Sequence, residues 1–162
     1  LDGVGKAIRQ ANRIGILVVV VTNQPMIARG ELSKAGLREI HNKMDTLLGQ
    51  EGAYIDGLYY CPHHPDSGYD GEIVELKIEC DCRKPKAGLL LQAAEELNIS
   101  LGDSWMVGDR TSDLYAGELA GVKTILVKTG YAGKDGKYVC KPDFVANNLG
   151  SAVDLVMKVL EK

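Results

Sequence analysis

The segment GILVVVV at positions 15–21 is the strongest single constraint on the fold. An unbroken Val/Ile/Leu run without polar alternation suits a strand buried on both faces of a parallel sheet. It falls well short of the ~20 apolar residues a membrane-spanning helix needs. Helical patterns flank it. Val4, Ile8 and Ala11 recur at helical spacing before it, and Leu37, Ile40, Met44, Leu47 and Leu48 form an amphipathic stripe after it, with Ser33 as N-cap. Further strands are expected at 53–62 (AYIDGLYYCP), 104–107, 123–128 (KTILVK) and 144–146 (FVA). Further helices are expected at 87–97 (AGLLLQAAEEL), from 112 to 120, and from Leu149 onward with Val153, Val156 and Leu160 on one side.

This alternation predicts one α/β domain: a doubly wound, Rossmann-like parallel sheet with helices on both faces. A chain of 162 residues fits that reading. In such sheets ligands bind beyond the carboxyl ends of the strands. Three polar clusters fall at those ends: Thr22-Asn23-Gln24, the loop that begins at Cys61, and Gly108-Asp109-Arg110-Thr111-Ser112-Asp113. A net charge of −3 argues against a general nucleic-acid binder, which needs a basic face to displace counterions. No segment resembles a signal peptide, and a cytoplasmic monomer that acts without membrane or nucleic acid is expected.

The stretch CPHHPDSGYDGEIVELKIECDCRKP, from position 61, holds three of the four cysteines and two of the three histidines. Zn²⁺ takes four ligands tetrahedrally and favours thiolate and imidazole. Cys61-x-His63 and Cys80-x-Cys82 are two short-range pairs, each able to clasp one side of such an ion. Free thiols and disulfides are the rival readings. A Cys80–Cys82 bridge closes a strained small ring, and a bridge from Cys61 to either leaves an odd thiol, so clustering favours the metal. His63 is preferred over His64 because C-x-H mirrors C-x-C; His64 is expected in solvent and Cys140 as a small core side chain. Four protein ligands leave no open position, so the zinc would be structural and would hold Arg83-Lys84-Pro85 rigid at the sheet edge. An arginine fork beside a lysine point charge suits a phosphate.

Thr22-Asn23 and Gly108-Asp109 are weak signals alone, since each also reads as a turn or helix cap. Together, VVVTNQPMIARG, CPHHP…CDCRKPKAGLL and SWMVGDRTSDLYAG resemble the haloacid dehalogenase superfamily, in its zinc-containing heptose bisphosphate and histidinol phosphatase branch. The resemblance implies a Mg²⁺-dependent phosphatase of a small phosphorylated sugar, heptose 1,7-bisphosphate first and histidinol phosphate as the alternative. It implies that Thr22 holds a phosphate oxygen with Asn23 beside it, that Lys84 neutralises nucleophile and phosphate, and that Arg83 contacts substrate phosphate. Asp109 would be a Mg²⁺ ligand and Asp113 a support or helix cap. Arg29 and Arg110 would be further substrate contacts, and Cys61, His63, Cys80 and Cys82 the zinc set. Pro25 stands where those phosphatases often have a small polar residue, which leaves the substrate open.

The superfamily's reaction begins at an aspartate in a D-x-D motif on the first strand, and no D-x-D occurs in the 162 residues. The segment LDGV at 1–4 does not replace it. The expectation is therefore a chain that starts after that motif, without the first strand, and is inactive by itself. A catalytically dead zinc-stabilised module that binds phosphorylated ligands or a partner is the reading from another class.

Overall fold

The computed structural model describes residues 2–161; Leu1 of the LDGV segment lies outside them. Two sets of parallel strands form the centre. The first pairs β1 (Val19–Asn23) with β2 (Gly57–Cys61), with Val19 opposite Gly57 and Asn23 opposite Cys61. The second orders β3 (Trp105–Gly108), β4 (Lys123–Val127) and β5 (Phe144–Ala146) side by side. The helices are α1 (Val4–Arg13), α2 (Pro25–Ala28), α3 (Lys34–Gln50), α4 (Gly88–Glu96), α5 (Thr111–Ala120) and α6 (Leu149–Leu160). Every ladder is parallel, as the helix–strand alternation requires.

The two strand sets share cores. Val21 of β1 packs against the cluster of Leu90, Met106, Ala116, Ala120 and Val122. Ile16 packs against the cluster of Ile125, Val127, Ala146, Ala152 and Val156. No ladder joins β1 to β3 among the described residues, so the expected single sheet is two parallel pieces. The apolar run also differs from expectation. The ladder starts at Val19 rather than Gly15, and β1 is half-buried throughout because it is paired on one side. Ile16 is partly buried by side-chain packing without ladder bonds, whereas Leu17 is about half exposed.

Ser33 caps α3 as expected, its Oγ accepting from Gly36 N at 2.9 Å. The stripe on α3 is narrower than predicted. Leu37 and Leu48 are buried and Met44 packs beside Leu48, whereas Ile40 and Leu47 are about half exposed. At ~100° per residue, Leu37, Met44 and Leu48 fall in line, and Ile40 and Leu47 lie roughly 60–80° round the helix from them.

Candidate active site and metal centre

The parallel register brings the end of β1 beside the end of β2, so Asn23 lies next to Cys61, where the Cys/His loop begins. Gln24 N donates to Cys61 O at 2.8 Å and closes the junction. Cys61, His63, Cys80 and Cys82 then converge, with all four donor atoms within 4.8 Å of one another. The Cys61–Cys80 and Cys80–Cys82 sulfurs lie 3.5 and 3.2 Å apart, and His63 Nδ1 lies 3.7 Å from Cys61 Sγ and 3.3 Å from Cys82 Sγ. A tetrahedron with Zn–S bonds of ~2.3 Å has edges of about 3.8 Å, so this donor set closes on an ion with small adjustments. Burial pushes the Cys61 and Cys82 thiols up, so a bound cation would have to displace their protons. No disulfide links the four cysteines.

The intervening loop is ordered by a hub of its own. Glu72 Oε2 accepts from Gly68 N and Tyr69 N at 3.1 Å each and pairs with Lys77. The loop then lies on α2. Ile73 N donates to Ala28 O at 2.9 Å, and Gly30, at φ 76°, meets Gly71 so closely that an added Cβ would run into the Gly71 carbonyl. Docking overturns the solvent-exposed placing of His64, which is only 5% exposed. Its Nε2 lies 2.9 Å from Arg29 Nη2 and 3.6 Å from Asp66, and its ring meets Tyr69 edge-on. Burial, and then the neighbouring Arg29 and Arg83 guanidiniums, hold its pKa below the ordinary histidine value. Burial of His64 depends on a contact between segments about 35 residues apart, which local sequence does not carry. Cys140 is half-buried and close to Thr111 O and Tyr138 O rather than in the core.

Arg83 and Lys84 follow the fourth ligand directly. Arg83 Nη1 donates to His63 O at 3.1 Å. The main chain of Lys84 is clamped by Asn23, whose Oδ1 accepts from Lys84 N at 3.0 Å and whose Nδ2 donates to Lys84 O at 2.9 Å. Both ends of the Asn23 amide thereby bond the Lys84 backbone, with one Nδ2 hydrogen left over. The Lys84 ammonium reaches across the open side of β1. It donates to Val21 O at 2.8 Å and pairs with Asp113 Oδ1 at 2.7 Å. Asp113 also accepts from Arg110 N at 3.1 Å, so one carboxylate caps α5 and anchors the lysine.

Asp109 sits at the end of β3. Its Oδ2 accepts from Tyr131 N at 2.8 Å, and Oδ1 has no hydrogen-bond partner among the described residues. Arg110 lies over the Tyr131 ring, its Cζ 3.7 Å from the centroid. Asp135 accepts from Thr111 N and Oγ1, each at 2.8 Å, and completes the cap of α5. Asn23, Lys84 and Asp113 thus form one contiguous set, with Thr22 next to Asn23 and its Oγ1 accepting from Gln24 Nε2 at 3.4 Å. Arg29, His64 and Arg83 form a second one around the His63–His64 peptide. Sequence reasoning gave Asp113 no ionic partner and missed Tyr131 and Asp135, whose contacts with Lys84, Asp109 and Thr111 respectively join segments far apart in the chain. A fixed ammonium suits a phosphate oxygen, and a carboxylate at a strand end suits a hard divalent cation.

Parallel strands, a basic pair beyond their carboxyl ends and a match of residues 81–152 to the HAD-hydrolase-like family define a hydrolase of the haloacid dehalogenase-like class. The chain is 47% identical over 159 residues to D-glycero-beta-D-manno-heptose-1,7-bisphosphate 7-phosphatase of Haemophilus ducreyi, covering 96% of this chain and 82% of that one. It is 44% identical to the enzyme of that name from Escherichia coli K12, over 80% of this chain and 66% of the other. The crystal structure of D,D-heptose 1,7-bisphosphate phosphatase from B. bronchiseptica, complexed with magnesium and phosphate, matches 98% of this chain and 84% of that one, at a TM-score of 0.84 and 31% identity. The chain belongs to the D-glycero-beta-D-manno-heptose-1,7-bisphosphate 7-phosphatase family.

Proposed function

We propose that these residues form the phosphate-gripping part of a Mg²⁺-dependent phosphatase that removes the 7-phosphate of D-glycero-β-D-manno-heptose 1,7-bisphosphate. The placement of Lys84 carries the reading. Its ammonium is held at the strand ends by Val21 O and Asp113, and its main chain by Asn23, so the cation is in position before substrate arrives. Thr22 Oγ1 donates to a phosphate oxygen. Lys84 neutralises charge on the phosphoryl group in transfer, while Asn23 and Asp113 act as positioning residues. Asp109 Oδ1 is the oxygen free to hold Mg²⁺, which when bound supplies charge neutralisation against the phosphate. Arg83 and Arg29 face the remote anionic group, and Arg110, held on Tyr131, closes the side near Asp109.

Zn²⁺ at Cys61, His63, Cys80 and Cys82 holds the loop and does no chemistry. The H. ducreyi and E. coli relatives' names and the heptose-phosphatase title of the B. bronchiseptica structure support the substrate assignment. The phosphoryl acceptor that the family resemblance implies, an aspartate in D-x-D, is not among these 162 residues, and negligible turnover is expected from them alone. The protein is proposed to work as a monomer in the cytoplasm; no helix among the described residues is long and apolar enough to cross a membrane.

The test is orthophosphate release from heptose 1,7-bisphosphate and from histidinol phosphate, with Mg²⁺, by protein from the complete reading frame and by residues 1–162. Release from the heptose bisphosphate by the former alone is expected. A preference for histidinol phosphate would overturn the substrate, and rapid turnover by residues 1–162 would overturn the division of labour.

A further inference from the structure

We propose that His64 is a positioning residue which fixes Arg29 for the remote anionic group of a bisphosphate substrate; this rests on the reading of Arg29 given above. The hydrogen bond between them has only one possible direction. A guanidinium has donors and no acceptor, so Arg29 Nη2 donates and His64 Nε2 accepts. The ring is then the neutral tautomer with its proton on Nδ1, and that group is buried without a partner. Arg29 Nε is likewise buried and unpartnered. Leaving two buried donors unmet costs stability, so this is not an arrangement that stability alone would select.

What the arrangement achieves is restraint of the guanidinium. Nη2 is held by His64, and the face of the group lies 4.6 Å from the centroid of Tyr69. The backbone on either side is pinned to the metal loop, through Ile73 N to Ala28 O and through the Gly30–Gly71 contact. Of the three guanidinium nitrogens, Nη1 has no bond to a described residue and is not buried without a partner, so it is open to a ligand. Arg83 reaches the same peptide, donating to His63 O. Two guanidiniums are therefore referenced to adjacent residues, one of which is a metal-cluster residue. The loop would set the spacing of both arginines, and hence selectivity for a substrate with a second anion.

The experiment is calorimetric binding of D-glycero-β-D-manno-heptose 1,7-bisphosphate and of the 7-monophosphate to the zinc-loaded chain and its variants, with zinc stoichiometry measured on each. His64→Leu and Arg29→Gln are each expected to weaken bisphosphate binding about tenfold and to leave monophosphate binding within about twofold. The double variant is expected to be no worse than Arg29→Gln, since His64 acts through Arg29. His64→Gln, whose amide oxygen can accept from Nη2, is expected to keep bisphosphate selectivity, and it serves as the informative variant if His64→Leu does not fold. Loss of selectivity in Arg29→Gln with none in His64→Leu would overturn the role of His64. So would equal weakening of both ligands, additive effects in the double variant, or a fall in bound zinc. Unchanged selectivity in Arg29→Gln would instead remove the reading of Arg29 itself.

Discussion

The Lys84 ammonium lies 2.7 Å from the Asp113 carboxylate, with the two side chains 10% and 8% exposed. This nearly buried ion pair joins the metal loop to the start of α5. It also fills the open side of β1, where Val21 O takes a second bond from the same ammonium. Removing one partner of such a pair leaves a buried charge uncompensated, which costs about 3–5 kcal/mol. Lys84→Met is therefore expected to lower stability by that order in urea unfolding and to reduce orthophosphate release by the complete enzyme by about a thousandfold or more. Asp113→Asn should keep the cap at Arg110 N but leave the lysine without its anion, so a stability loss of the same order is expected together with a fall in activity.

Asn23 holds the Lys84 backbone with both ends of one amide. Asn23→Ala leaves Lys84 N and O unpaired near the sheet edge and is expected to cost about 1–3 kcal/mol. Because the lysine side chain keeps its own two partners, kcat should fall less than in Lys84→Met. Urea titration and steady-state kinetics on the same preparations check the ordering.

The metal centre should behave as a folding element. Dipicolinate treatment, or Cys80→Ser, is expected to remove zinc, destabilise the fold by at least about 3 kcal/mol and lower Tm by roughly 6–12 °C. Arg83, Arg29 and His64 all hang on the loop, so substrate affinity should fall with the metal and recover on adding Zn²⁺. Calorimetry before and after restoration reads both effects.

Acid should act through Asp143. Hydrogen bonds from Thr124 N first and Thr124 Oγ1 second hold its carboxyl below the ordinary 3.8. A carboxylate with a depressed folded pKa stabilises the fold above its unfolded pKa, and that contribution disappears as pH falls through the folded value. The wild-type Tm should therefore fall as pH drops below about 4, and Asp143→Asn should show a flatter acid limb there. Thermal melts between about pH 5 and pH 2.5 make the comparison.

Much of the site was legible because chain spacing alone brings it together. Cys61 and His63, and Cys80 and Cys82, are each two residues apart, and Arg83-Lys84 follow the last ligand directly. The strand ends that carry Thr22 and Asp109 could be read from where apolar runs stop. Contacts between distant segments were not legible. His64 is buried only because the loop docks on α2 and Arg29, and Asp113 gains its lysine from 29 positions earlier. The apolar run at 15–21 likewise signalled burial without saying which of its residues would enter a ladder.

X-ray absorption at the zinc edge, on protein purified without chelators, tests most directly whether a structural ion organises this site. About one zinc per chain is predicted, bound by three sulfurs at ~2.3 Å and one nitrogen at ~2.0–2.1 Å. A metal-free protein that keeps its Tm and its affinity for the bisphosphate, or a zinc shell dominated by oxygen, would contradict it.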